Sequence, residues 1–170
     1  MINFKPKKNI VDYINEQREL NESRKNINRT LHFKGYYETN DDIPASHGVY
    51  VAFALDYKGE MPPRLLYIGR AYKSNNLKKR VGEHISDDHG SKRWLAHYNP
   101  KEENILYSYV EIDDDVVIPD IEKTLIHINR PDINDNEVEN NNIEASSVTL
   151  RCDGDKGCLN SIAHLTKGML

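Results

Sequence analysis

The chain has 170 residues and a mass of 19.7 kDa, the length of one ordinary domain with something extra at its ends. Hydrophobic residues make up 38% and charged residues 29%, a wet composition that still permits a core because the apolar residues gather in short runs. With 23 basic and 27 acidic residues the net charge is −4, which argues against an overall basic nucleic-acid coat but leaves room for a local basic site.

No apolar run approaches the roughly 20 residues of a membrane helix, and the opening MINFKPKKNIVDY lacks the apolar centre of a signal peptide. Two cysteines are too few for a disulfide-stapled scaffold. The expectation is a soluble, cytoplasmic protein with no membrane contact.

In chain order, residues 7–28 place Ile10, Val11, Tyr13, Ile14 and Leu20 at near-helical spacing and predict a surface helix. Asp41-Asp42-Ile43-Pro44 predicts a turn, because Pro44 disfavours helix at Ile43. Two runs dense in β-branched and aromatic residues follow, GVYVAFAL at 48–55 and RLLYIGRAY at 64–72. The intervening DYKGEMPP can only be a loop, so the two runs read as an antiparallel hairpin.

After a cap at Ser74-Asn75-Asn76, LKKRVGEHI sets Leu77, Val81 and Ile85 (or His84) on one helical face. A second short helix is expected around Lys92, Arg93, Trp94 and Leu95. A third strand at 104–112 alternates at Ile105, Tyr107 and Tyr109. IPDIEKTLIHINR, 118–130, opens on Pro-Asp and must stop before Pro131, which predicts a helix. The Asn- and acid-rich stretch 134–144 reads as a solvated connection. SSVTLRCDGDKGCLNSIAHL then reads as a strand, a turn and a short final segment.

Two strand tripeptides, Gly48-Val49-Tyr50 and Tyr67-Ile68-Gly69, resemble the paired signatures of the GIY-YIG nuclease family. Arg80 and His84 stand at i and i+4 on the next helix, similar to members with an Arg-x-x-x-His pattern. Glu122 lies near the start of a later helix, and Pro131-Asp132-Ile133-Asn134 resembles the Pro-x-x-Asn after the family's metal-binding glutamate. The resemblance covers about residues 46–136. It implies an α/β fold of the α+β kind: a small three-stranded antiparallel sheet at about 47–55, 64–71 and 104–112, flanked by helices at about 76–87 and 119–129. The nuclease-like core would occupy 45–138, with an N-terminal helical extension at 1–44 and a C-terminal hairpin extension at 139–170.

The resemblance also implies a chemistry, hydrolysis of DNA phosphodiester bonds by a divalent metal, Mg²⁺ or Mn²⁺, with no organic cofactor. Glu122 would be the metal ligand, since oxygen donors suit Mg²⁺. Arg80 would grip phosphate oxygens through its fork of donors. Tyr50 and Tyr67 would position or deprotonate the water, His84 would hold Tyr50 or relay its proton, and Asn134 would orient the site or support Glu122. Arg70 follows Gly69 where lysine or glutamine is common in the family, and it keeps a positive charge near phosphate beside Lys73 and Lys79. Those residues belong to the basic stretch 64–93.

Taken singly, each of these residues has a structural reading: half-buried strand tyrosines, a solvated helix face, a glutamate favoured by a helix N-terminus. One nuclease site accounts for all of them in order. Asp113, Asp114 and Asp115 read as solvated, and the Cys152–Cys158 spacing is poor for zinc. The expected partner is DNA, and a homodimer suits a chain this small, since two single-strand sites are needed to cut a duplex. The alternative is a nucleic-acid-binding or regulatory module that keeps the fold without cleavage.

Overall fold

Residues 48–54 of GVYVAFALD are buried without a break, which marks a strand covered on both faces and paired on both edges. The computed structural model describes residues 25–56, 58, 61–85, 103–134 and 142–168. In chain order these form β1 (Asn26–Tyr37), β2 (Gly48–Asp56), β3 (Arg64–Ala71), α1 (Leu77–Ile85), β4 (Glu103–Glu111), α2 (Ile118–Asn129), β5 (Ser147–Gly154) and β6 (Ile162–Thr166).

The expected three-stranded antiparallel sheet is corrected to one curled, mixed sheet of six strands, ordered β3-β2-β4-β1-β5-β6, with two helices among the described residues. β3, β2 and β4 are neighbours and antiparallel, but they form only half of the sheet. β1 supplies the join. Its residues 34–37 pair antiparallel with β4, while 26–33 pair in parallel with β5. β5 then pairs antiparallel with β6, so the C-terminal hairpin is part of the sheet and not an appendage.

The helix expected over 7–28 lies outside the described residues up to position 24, and its last residues open β1. β1 turns Ile27, Leu31 and Phe33 inward and Asn28, Thr30 and His32 outward, the period of a half-covered strand. An exposed Arg29 and the flanking asparagines hide that period in the sequence. The short helix around Trp94 also lies outside the described residues.

Alternate residues of β2 feed two cores. Val49, Val51 and Phe53 join Leu31 and Phe33 of β1, Val148 and Leu150 of β5, and Ile121 and Leu125 of α2. Tyr50 and Ala52 join Leu66, Tyr107 and Tyr109 with Leu77 and Val81 of α1. The two helices therefore cover opposite faces of the sheet.

Each helix is fixed at its ends. The Asn76 side-chain oxygen accepts the Lys79 N–H at 2.9 Å and caps α1, while the Leu77 and Lys78 N–H groups bond the Ser46 and Pro44 carbonyls. α2 carries Pro119 in its first turn and stops at Arg130, whose left-handed φ of 47° lets its N–H close on the Ile126 carbonyl just before Pro131. Buried Asp120 accepts the backbone N–H groups of Glu144 and Ala145 at 3.0 and 2.8 Å, which ties the approach to β5 onto α2. Among the described residues, no helix is long and apolar enough to cross a membrane.

Candidate active site

The register of β2 and β3 sets Tyr50 directly opposite Gly69. A Cβ on Gly69 would run into the Tyr50 phenol and the Tyr67 ring, so only glycine leaves room for the Tyr50 side chain to lie across β3. Gly48 meets the same demand at the other end, where a Cβ would strike the Val110 carbonyl of β4. Both motif glycines are thus required by close approach.

Tyr50 is wholly buried, and its hydroxyl lies 2.6 Å from His84 Nε2 on α1. Burial, with Tyr67 adding to it, pushes the Tyr50 phenol well above its ordinary value, against a smaller opposite pull from Arg80. Burial and then the Arg80 charge bring His84 down to about 4, although Glu83 pulls it up. Both groups are therefore neutral at pH 7, and the Tyr50 O–H donates to the imidazole. The rings of Tyr50, Tyr67 and His84 stand with centroids 5.3–6.0 Å apart.

Residues 132–134 cover the free edge of β3 as far as Ile68. The Asp132 and Ile133 N–H groups bond the Leu65 and Leu66 carbonyls at 3.3 and 2.9 Å. Buried Asn134 then uses its amide as a peptide would, accepting from the Ile68 N–H at 2.8 Å and donating to the Ile68 carbonyl at 3.1 Å. Beyond Ile68 a pocket of about 330 Å³ opens, lined by Tyr67, Arg70, Tyr72, Asn75, Arg80 and Glu122. Strand β3, the loop that follows it, α1 and α2 each contribute to its wall.

Four of the sequence-predicted site residues, Tyr67, Arg70, Arg80 and Glu122, line this pocket together. Tyr50 and His84 lie behind the wall, and Asn134 holds the backbone of β3 beneath it. Tyr50 does not line the pocket and is joined to its wall through His84 and the packed rings. Lys73 and Lys79 are exposed nearby but do not line the pocket, and the Lys73 ammonium stands 5.0 Å from the Tyr72 ring.

Two ion pairs escape sequence reasoning. Arg70 Nη1 donates to Glu122 Oε2 at 2.5 Å, and Arg80 Nη1 donates to Glu83 Oε2 at 2.6 Å. The second has the i, i+3 spacing of helical neighbours and could have been read. The first joins a strand to a helix 52 positions later and has no local signal. Tyr72 and Asn75 were also missed; the signal for Tyr72 was its place two residues after Arg70, on the same side of an extended chain. His47 is held by Asp115 at 2.5 Å, and Asp114 faces Arg29 at 3.8 Å, so Asp114 and Asp115 serve other contacts. Cys152 is buried and Cys158 exposed, both free thiols.

No group of three or more His, Cys, Asp or Glu side chains converges as a ready-made metal cage among the described residues. A lone Glu122 carboxylate on a pocket wall still fits Mg²⁺, which keeps several waters and takes its other ligands from substrate phosphate. Asn75 adds an amide to the same wall. No family model, curated protein or solved structure matches the chain.

Proposed function

We propose that the chain is a divalent-metal-dependent DNA endonuclease of the GIY-YIG type. The observation that carries this reading is the convergence of Tyr67, Arg70, Arg80 and Glu122, drawn from three elements, on one open pocket. A phenol, two guanidiniums and a carboxylate are what phosphodiester hydrolysis asks for. Tyr67 orients the attacking water through its hydroxyl, and would receive the water's proton only as the phenolate, after losing its own proton to solvent beside the Arg70 and Arg80 charges. Arg80 and Arg70 grip non-bridging phosphate oxygens and stabilise the charge that grows there in the transition state. Glu122 would hold Mg²⁺ or Mn²⁺, which when bound supplies a Lewis acid at the phosphate and neutralises the departing sugar oxygen. Tyr50 and His84 fix the Tyr67 ring from behind, and Asn134 fixes the strand that carries it.

A plasmid-nicking assay tests the reading. Cleavage of supercoiled DNA should appear with Mg²⁺ and vanish with EDTA. Glu122→Gln should lower it by roughly a hundredfold or more with the fold intact by circular dichroism, because the amide keeps the shape and surrenders the charge. Salt-sensitive DNA binding without cleavage, for wild type and variant alike, would replace the nuclease with a binding module of the same fold.

A further inference from the structure

Arg80 lines the pocket and Glu83 does not. Their ion pair therefore grips the guanidinium from outside the wall, with Arg80 Nη1 donating to Glu83 Oε2 at 2.6 Å. The Glu83 side chain is 22% exposed, so the contact is partly shielded from water. A guanidinium is a rigid planar fork, and one bond at Nη1 sets the plane in which its other donors lie. Arg70 differs. Its carboxylate partner, Glu122, lines the pocket with it and is the group proposed to hold the metal.

Stability gives little reason for a carboxylate at position 83. An i, i+3 pair on a helix surface contributes little. Glu83 also lies in the last turn of α1, where the carbonyl end of the helix disfavours negative charge.

Affinity for an anion gives less reason still. Glu83 faces two cations of the same helix, Arg80 and Lys79, the latter with its ammonium 4.0 Å from Glu83 Oε1. A phosphate held by Arg80 would feel the repulsion of this carboxylate across one guanidinium. A surface built only to bind DNA gains nothing from an acid there.

We propose that Glu83 is a positioning residue for phosphodiester cleavage: it holds the Arg80 fork where the transition state needs it, and weakens DNA binding in doing so. This rests on the nuclease reading above. Only interactions stronger in the transition state than in the ground state speed the chemical step. Tethered by Glu83, Arg80 cannot swing to follow the ground-state phosphate, so its donors stay where charge grows during the reaction.

The test is single-turnover nicking of supercoiled plasmid in Mg²⁺ at low salt, with the full chain in excess. The maximal rate reports the chemical step, and the half-saturating protein concentration reports DNA binding. Glu83→Ala should lower the half-saturating concentration about threefold, because a like charge near the phosphate is gone. It should also lower the maximal rate about tenfold, because Arg80 is loose. Glu83→Gln keeps the length and the acceptor but not the charge. It should bind as tightly as Glu83→Ala and cut within about threefold of wild type. Affinity then follows the charge while turnover follows the hydrogen bond, a split that a residue serving only the helix would not produce.

A wild-type maximal rate in Glu83→Ala would overturn the proposal, since Arg80 would need no tether. Equal losses of rate in both variants would overturn it too, because the charge itself would then act on the reacting atoms. So would unchanged or weaker DNA binding in Glu83→Ala, or its unfolding by circular dichroism. Each of these leaves the nuclease standing. Failure of wild type to nick at all would instead remove the nuclease reading, and this one with it.

Discussion

The Arg70 guanidinium sits 2.5 Å from the Glu122 carboxylate, so the side chain proposed to hold a metal already has a cation on it. The carboxylate side chain is 10% exposed, and at that depth the two charges interact more strongly than they would in open water. An incoming divalent ion must share Glu122 with Arg70 or displace it. A DNA phosphate offers Arg70 another acceptor, which ties metal entry to substrate entry.

Arg70→Ala should therefore tighten Mn²⁺ binding in the absence of DNA, by about tenfold, while cleavage falls. Mn²⁺ titration followed by electron paramagnetic resonance reads this directly, and Glu122→Gln should abolish the bound signal. An Mn²⁺ affinity unchanged by Arg70→Ala would mean that the ion does not bind at Glu122.

The two motif tyrosines should separate. Tyr67 lines the pocket, and Tyr67→Phe should cost roughly a hundredfold or more in nicking with little change in stability. Tyr50 is wholly buried, and Tyr50→Phe leaves His84 Nε2 without its donor, which should cost about 1–2 kcal/mol of stability and a smaller loss of activity. Urea unfolding beside the nicking assay checks both. Equal activity losses with no stability change would place Tyr50 in contact with the substrate.

His84 makes stability depend on pH. Its folded value of about 4 lies below the ordinary 6.5, so between these values the unfolded chain binds more protons than the folded one. The contribution is complete above pH 6.5 and is lost as the pH falls toward 4, on the order of 3 kcal/mol in all. His84→Gln should flatten that part of the profile when thermal unfolding is followed at pH 7 and pH 5. A wild-type profile flat across this window would show that His84 titrates normally.

Much of the site was legible because its residues sit in short local patterns. GVY and YIG read as strands, Arg80 and His84 as one helix face, and Pro131 as a stop; the structure places each so. What escaped depends on distant partners. β1 reads as polar chain until β5, more than 100 residues later, lies beside it with Ile27 opposite Val148. Asp120 looks like any acid in a first helical turn until Glu144 and Ala145 donate to it. Nothing in the sequence alone says that Arg70 meets Glu122, or that Tyr50 lies behind the pocket wall, because both follow from which face of a strand a helix covers.

Asn134 gives the last test, since the sequence pointed to it and the structure changes its work. Its amide replaces one peptide unit of a neighbouring strand, bonding both the N–H and the carbonyl of Ile68 in a place where Asn134 itself is 1% exposed. Asn134→Ala leaves those two backbone groups buried without their partner, at about 1–3 kcal/mol each before any relaxation. The loss should be about 2–4 kcal/mol by urea unfolding. Asn134→Asp keeps an acceptor for the Ile68 N–H but turns a carboxylate toward the Ile68 carbonyl, so it should rescue little. Ile68 lies between Tyr67 and Gly69, and folded Asn134→Ala should also cut more slowly because β3 loses its register against residues 132–134. Asn134→Ala with wild-type stability and abolished nicking would make Asn134 a residue that touches the substrate, and the clamp on β3 would be the wrong account of it.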